Sequence, residues 1–323
     1  MPATGETLEK MKHCRSAMPC PEDLDEFWDA RVREAWELPL EYTVTPSEIP
    51  ENPACRFLEI RLKGVHGAEL YCKYILPIRE EKVPVVLQFH GYPGATRGWF
   101  EYASFAGMGM AVIGMDCPGL GGKSIYNGSP KGTVCADHIV FGLEGEREHY
   151  YFTEVFMDTV LMVRLALALE ELDSGRIYCN GGSQGGGLAL VCAALSPEQV
   201  KACASLYPFL TDYRTAWEQN RDTVVYTGLK YYSRYFDPAG EHTEELYRKL
   251  SYIDVINLAG RIRCPVLYGT GLMDPYISPE SQFAVYDRLQ CPKKQLVYPD
   301  YGHEEIPDFD DRTIRFFSKG GEL

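Results

Sequence analysis

Ser183 lies in the run Asn180-Gly-Gly-Ser-Gln-Gly-Gly-Gly187, with glycines two positions to either side of it at Gly181 and Gly185. The apolar stretch 177–179 precedes this run and the helical pattern 185–195 follows it. A strand would therefore enter a tight turn and leave it as a helix. Such a turn needs neighbours without side chains. It lifts the serine Oγ to the edge of a sheet, with a helix N-terminus beneath it. The next backbone N–H, that of Gln184, would point where an oxyanion forms. The chemistry this suits is nucleophilic attack on an acyl carbon. The bland alternative is a glycine-rich turn before a helix, but strand, turn and helix together favour the nucleophile.

A serine hydroxyl is a weak nucleophile without a base. In strand–turn–helix sites of this kind, an acid and then a histidine follow the serine, each after a later strand. His303, in Tyr298-Pro-Asp-Tyr-Gly-His-Glu304, is the only histidine beyond His242 and precedes the last helical pattern. Asp274 follows Leu267-Tyr-Gly-Thr-Gly-Leu-Met273 and would fix the imidazole tautomer and stabilise the imidazolium. Asp300 competes for this role, but its place three residues before His303 suits the turn better. A second oxyanion donor is expected from Gln88-Phe-His-Gly-Tyr-Pro-Gly94, after an early strand. Its backbone N–H would be that of Tyr92, whose ring would wall the pocket.

The elements that must carry these residues are legible as short apolar runs at 83–89, 111–115, 177–179, 202–206, 266–268 and 296–298. Several are near-continuous, as in strands covered on both faces. Helical patterns at 153–172, 185–195, 280–289 and 310–317 separate most of them. This alternation predicts an α/β fold, with a mostly parallel central sheet, helices on both faces and a site at the strand carboxyl ends. With the serine turn, it is the α/β-hydrolase pattern. Upstream, Leu24, Phe27, Trp28, Val32 and Trp36 predict a helix within 21–37, and 56–75 predicts a hairpin turning at His66-Gly67. The region 209–256 is helical and aromatic-rich. It reads either as a lid or pocket wall, or as a helical pair packed into the core. One domain over 1–323 is expected, with an N-terminal helix and hairpin extension over 1–80 and a helical insertion over about 209–256.

Thirty-two basic against 46 acidic residues give a formal charge of −14, which argues against a nucleic-acid partner. The eleven cysteines include no CxxC pair and read as buried thiols in a reducing compartment. The first residues carry no secretory pattern, and no apolar run reaches the ~18 residues of a membrane span. A cytoplasmic protein without a membrane partner is expected. Three motifs fail on spacing. Gly119-Leu-Gly-Gly-Lys-Ser124 lacks the first glycine of a phosphate loop, because Cys117 occupies it. His303-Glu304 has Pro307 where a second zinc-binding histidine would stand. Gly107-Met-Gly109 precedes a strand rather than following one.

At these residues the chain resembles the acetyl xylan esterase and cephalosporin C deacetylase family, carbohydrate esterase family 7. The resemblance rests on the serine run, the 207–214 and 251–259 runs, Gly271-Leu-Met-Asp274, the 283–289 helix and the His303 run, in that order. It implies a triad of Ser183, Asp274 and His303, with oxyanion donors at Tyr92 and Gln184. It also implies deacetylation of small acetylated carbohydrates and related esters such as cephalosporin C, no metal or other cofactor, and a homo-oligomer, usually a hexamer. Residues 133–159 resemble the segment carrying that family's inter-subunit projection. Two departures stand out. The family's Arg-Gly-Gln motif is replaced by Pro118-Gly119-Leu120 after Asp116-Cys117, with Arg97-Gly98 nearby but not in that position. After Asp274, Pro275-Tyr-Ile-Ser-Pro279 places Tyr276 where a smaller residue is usual, making Tyr276 a candidate to narrow the acyl or leaving-group side. A longer-chain esterase or a peptidase on the same fold, and a non-catalytic binding protein, are the alternatives.

Overall fold

The computed structural model describes residues 5–50, 52–132, 137–219 and 223–323. Among the described residues, nine strands form one sheet. In spatial order they are β1 (Tyr42–Pro46), β2 (Cys55–Lys63), β3 (Glu69–Pro77), β5 (Ala111–Met115), β4 (Val83–Phe89), β6 (Leu172–Gly182), β7 (Val200–Leu206), β8 (Val266–Gly271) and β9 (Lys293–Tyr298). The first three run antiparallel and join at β5; every pair from β5 to β9 is parallel. Because β4 lies between β5 and β6, the chain crosses to opposite sides of it. The carboxyl end of β4 is therefore a topological switch point, where such sheets open a crevice.

Eleven helices complete the described fold: α1 (Gly5–Met11), α2 (Leu24–Glu37), α3 (Trp99–Gly107), α4 (Tyr151–Ala168), α5 (Gln184–Leu195), α6 (Tyr213–Glu218), α7 (Thr227–Phe236), α8 (Thr243–Leu250), α9 (Val255–Leu258), α10 (Pro279–Arg288) and α11 (Pro307–Ser318). None of the described helices is long and apolar enough to cross a membrane. Strand side chains alternate between two cores, as a period of two requires. Val85, Leu87, Ile177, Cys179 and Tyr268 face α2, α4 and α5. Val86, Val112, Tyr178 and Leu267 face α3 and α11, where Phe317 stacks on Tyr178 at 4.9 Å. This two-sided burial explains the near-continuous apolar runs.

The hairpin forms as β2 and β3, turning at Val65–Gly67, and the six predicted strands all exist. The helix expected over 153–172 begins two residues earlier and stops at Ala168. Apolar periodicity runs on through Leu169 and Leu172. However, Leu169 is extended (φ −80°, ψ 116°), and Leu172 pairs with Val83 to open β6. Strand β1 and helix α3 had not been anticipated. β1 is a sheet edge with almost wholly exposed side chains and so no alternation to read. Residues 133–136, at the start of the segment resembling an inter-subunit projection, lie outside the described residues, as do 220–222 within the 209–256 region.

That region forms α6 to α9, between β7 and β8. Tyr213 is fully buried and Tyr226 and Tyr232 nearly so, whereas Tyr235 is 68% exposed. Most of its aromatics therefore pack inward. Helix α2 supports it from beneath: buried Trp28 donates its Nε1–H to the Tyr252 carbonyl at 2.9 Å, and Phe27 meets the Tyr252 ring edge-on at 5.1 Å. Trp28→Ala should lower stability by about 3–5 kcal/mol, read as a lower denaturant midpoint, with Trp28→Phe losing clearly less.

Candidate active site

Ser183 follows β6 directly and caps α5 with φ 58° and ψ −124°. A non-glycine residue at positive φ is uncommon and strained. Close packing forces the turn: a Cβ on Gly185 would lie 2.1 Å from the Phe89 carbonyl oxygen, and one on Gly181 would lie 2.3 Å from Gly185. Three backbone bonds hold it. Ser183 N–H donates to Leu206 O at 3.0 Å, and Ser183 O accepts from Gly187 N–H at 3.0 Å and Phe209 N–H at 2.9 Å. All of α5 is buried, so its N-terminal dipole acts on the turn with little solvent screening.

Asp274 and His303 come together after β8 and β9. His303 Nδ1 and Asp274 Oδ2 are 2.7 Å apart. The Asp274 side chain is fully buried, and a buried carboxylate is costly unless its lone pairs are filled. Oδ1 accepts the N–H groups of Tyr276 at 2.8 Å and Ile277 at 2.9 Å. Oδ2 also accepts from Gln282 Nε2 at 3.2 Å. Both oxygens are thus fixed, and donation from Nδ1–H leaves His303 Nε2 as the basic nitrogen. Asp300, the competing acid, takes no part in this pair. Tyr276 stands edge-on to the His303 ring at 5.3 Å and is 38% exposed.

Tyr207 links this pair to the serine turn, a role the sequence reading missed. Its ring lies 4.4 Å from that of His303, its hydroxyl donates to the Glu304 carbonyl at 2.8 Å, and it packs against Gly182. The signal was its position just past β7, the strand beside the one that carries Ser183. It too has positive φ (32°), as do Leu210 and Asp212 nearby. A cavity of about 360 Å³ lies beneath, between α3 and α11. Gly182, Leu206 and Tyr207 line it, but Ser183, Asp274 and His303 do not.

The loop after β4 lies beside the turn, where a Cβ on Gly91 would be 3.8 Å from that of Ser183. His90 locks it. Its Nδ1 bonds Gly91 O at 2.8 Å and its Nε2 accepts Cys117 N–H at 2.9 Å, and burial holds this imidazole below its usual range. The Gln184 side chain reaches the His90 carbonyl at 3.4 Å. Tyr92 packs on Phe209 at 6.2 Å and hydrogen-bonds His138 at 3.1 Å. Burial lowers the pKa of His138 to about 4. Neighbouring Asp137, raised by burial to about 7, accepts the Gly228 N–H and so joins this wall to α7.

The loss of Arg-Gly-Gln does not leave the loop untethered. Asp116 accepts Thr96 N–H at 2.6 Å on one oxygen and Lys123 N–H at 2.7 Å on the other, binding both loops. Arg97 meanwhile reaches Glu305 at 2.9 Å, two residues beyond His303.

A parallel sheet with a strained serine turn after β6 and an aspartate–histidine pair after β8 and β9 defines the α/β-hydrolase class. The family model for acetyl xylan esterase (AXE1) matches residues 1–320, and the chain belongs to that family. Acetyl xylan esterase 1 from Thermoanaerobacterium sp. JW/SL YS485 is 36% identical, with TM-score 0.94 and coverage of 98% of this chain and 99% of that one. The acetyl xylan esterase from Paenibacillus sp. R4 is 30% identical, with TM-score 0.91 and coverage of 97% and 99%. The acetyl esterase Axe7A of Xylanibacter ruminicola is 28% identical over 290 residues, 88% of this chain; the match spans only 63% of that relative's length. More distant structures, such as Est1E from Butyrivibrio proteoclasticus (18% identity, TM-score 0.58), share the fold alone.

Asp116→Ala should cost about 1–3 kcal/mol for the buried Thr96 N–H alone, measured by chemical denaturation. Ester turnover should fall with it, because the same loop carries Tyr92; Asn, retaining one acceptor, should lose less.

Proposed function

We propose that this protein is a serine carboxylic-ester hydrolase. Its substrates would be small acetylated carbohydrates, including acetylated xylo-oligosaccharides, and related acetyl esters such as cephalosporin C. The observation that carries this reading is the 2.7 Å His303–Asp274 pair on loops beside a serine held at φ 58°. In this mechanism His303 Nε2 takes the Ser183 proton as Oγ attacks the ester carbonyl. The Tyr92 and Gln184 amides hold the oxyanion. As the tetrahedral adduct collapses, His303 protonates the departing sugar oxygen. Water, deprotonated by His303, then releases acetate from the acyl-serine. Asp274 keeps the imidazole in the required tautomer throughout. Family membership supports acetyl as the acyl group. Tyr276, against the His303 ring, would narrow the acyl or leaving-group side.

A cytoplasmic location and a homo-oligomer, of hexameric type, belong to the same proposal. The first draws on the ten described cysteines, all free thiols as reducing surroundings keep them; the second draws on the family relationship. Size-exclusion chromatography with light scattering should give a multiple of the chain mass, and a monomer would contradict the assembly.

Ser183→Ala should cut aryl-acetate turnover at least about a thousand-fold, and Asp274→Asn by a comparable factor. Wild-type turnover in Ser183→Ala would sink the assignment. Across a series of aryl esters, acetyl should be preferred to hexanoyl. The reverse preference would favour a longer-chain esterase.

A further inference from the structure

We propose that His66, His149 and Glu154 form a binding site for a divalent transition ion of the zinc class, joining the β2–β3 turn to the start of α4. Three potential ligand atoms converge there. His66 Nδ1 lies 2.8 Å from Glu154 Oε1 and 3.3 Å from His149 Nδ1, and His149 Nδ1 lies 3.6 Å from Glu154 Oε1. Zinc bonds to imidazole nitrogen and carboxylate oxygen are about 2.0–2.2 Å, so the edges of a tetrahedron around the ion are about 3.3–3.5 Å. The three separations bracket that edge, and shifts of a few tenths of an ångström would seat the ion.

Each nitrogen of His66 faces a carboxylate. The other nitrogen of His66, Nε2, faces Glu34 Oε1 at 3.2 Å. A carboxylate oxygen has nothing to donate, so Nε2 carries the proton. Nδ1 faces the Glu154 carboxylate in the same way, so in the metal-free site a proton bridges that pair, and an ion would take the proton's place between the ring, the carboxylate and the second imidazole. One cation satisfies all three groups at once. Glu34 supplies the outer carboxylate that commonly fixes the tautomer of a ligating histidine.

The ligands sit on different elements that are already held in place. Glu154, buried, stands on the first turn of α4. His66 is held at φ 49°, ψ 34° on the hairpin turn, and His149 ends the short helical turn Arg147–His149. Both histidines are exposed, leaving a fourth position for water. Two imidazoles and one carboxylate suit zinc, cobalt or nickel rather than calcium or magnesium, which prefer more oxygens. None of these residues belongs to the Ser183, Asp274 and His303 trio. The ion would staple the N-terminal hairpin to the core and take no part in ester hydrolysis.

The test uses tag-free, chelator-treated full chain. Zinc titrated calorimetrically should bind at one equivalent and raise the thermal midpoint, while magnesium should not. Cobalt should give the visible absorption of a four-coordinate site. His149→Ala, at an exposed position that should fold normally, should abolish both signals. Glu154→Gln should do the same, and Glu34→Gln should weaken zinc about 10–100-fold. Aryl-acetate turnover should be unchanged by chelation and in His149→Ala, which separates this site from the esterase assignment. Absence of saturable zinc binding, or undiminished affinity in both His149→Ala and Glu154→Gln, would overturn the proposal.

Discussion

The close approach of α5 to the end of β4 constrains everything around it. Gly185 lies so near the Phe89 carbonyl that no Cβ fits, and the chain can turn there only by placing Ser183 at positive φ. That strain, of order 1–3 kcal/mol, is offset because every backbone group of Ser183 is bonded to the neighbouring chain. Leu206 and Phe209, which make two of those bonds, bracket Tyr207. The turn is therefore sewn to the end of β7, the segment whose tyrosine touches His303. Ser183 and the ring of His303 are thus both held against one segment, 206–209, rather than by two independent loops.

Asp274 is fixed by a different principle. A fully buried carboxylate survives only if saturated, and Asp274 takes two amide N–H groups, a glutamine amide and the imidazole. Removing any one donor would leave the others in place, so its orientation is over-determined. The loop after β4 is held in a similar way by His90 and Asp116, both buried and both bonded to backbone. Around the site, buried side chains anchor the loops through backbone hydrogen bonds, and the switch point of the sheet supplies the crevice.

Much of this was legible in the residues. Strand runs such as 83–89 and 111–115 matched their elements because both faces are buried, and the serine turn announced itself through its glycines. What escaped notice depends on contacts across the sheet. Tyr207 opens the 207–214 run, but its contact with His303 comes from β7 lying between β6 and β8. Asp116 drew attention only as the residue before a missing motif, although its carboxylate does the tethering. β1 has exposed side chains and so no pattern. The end of α4 is not visible in the sequence because apolar spacing continues past Ala168, through extended Leu169, to Leu172 at the start of β6.

The departures from the family pattern follow a common logic. Asp116 binds the backbone on both sides, to Thr96 and Lys123, so this tether does not depend on the side chains of residues 118–120. After Asp274, the groups that matter are the N–H groups of residues 276 and 277. The side chain at 276 is therefore decoupled from the orientation of the carboxylate. Tyr276 can change the room beside His303 while Asp274 and its hydrogen bonds stay as they are. A change of side chain at 276 thus alters the space beside His303 while the backbone N–H groups of 276 and 277 go on holding Asp274.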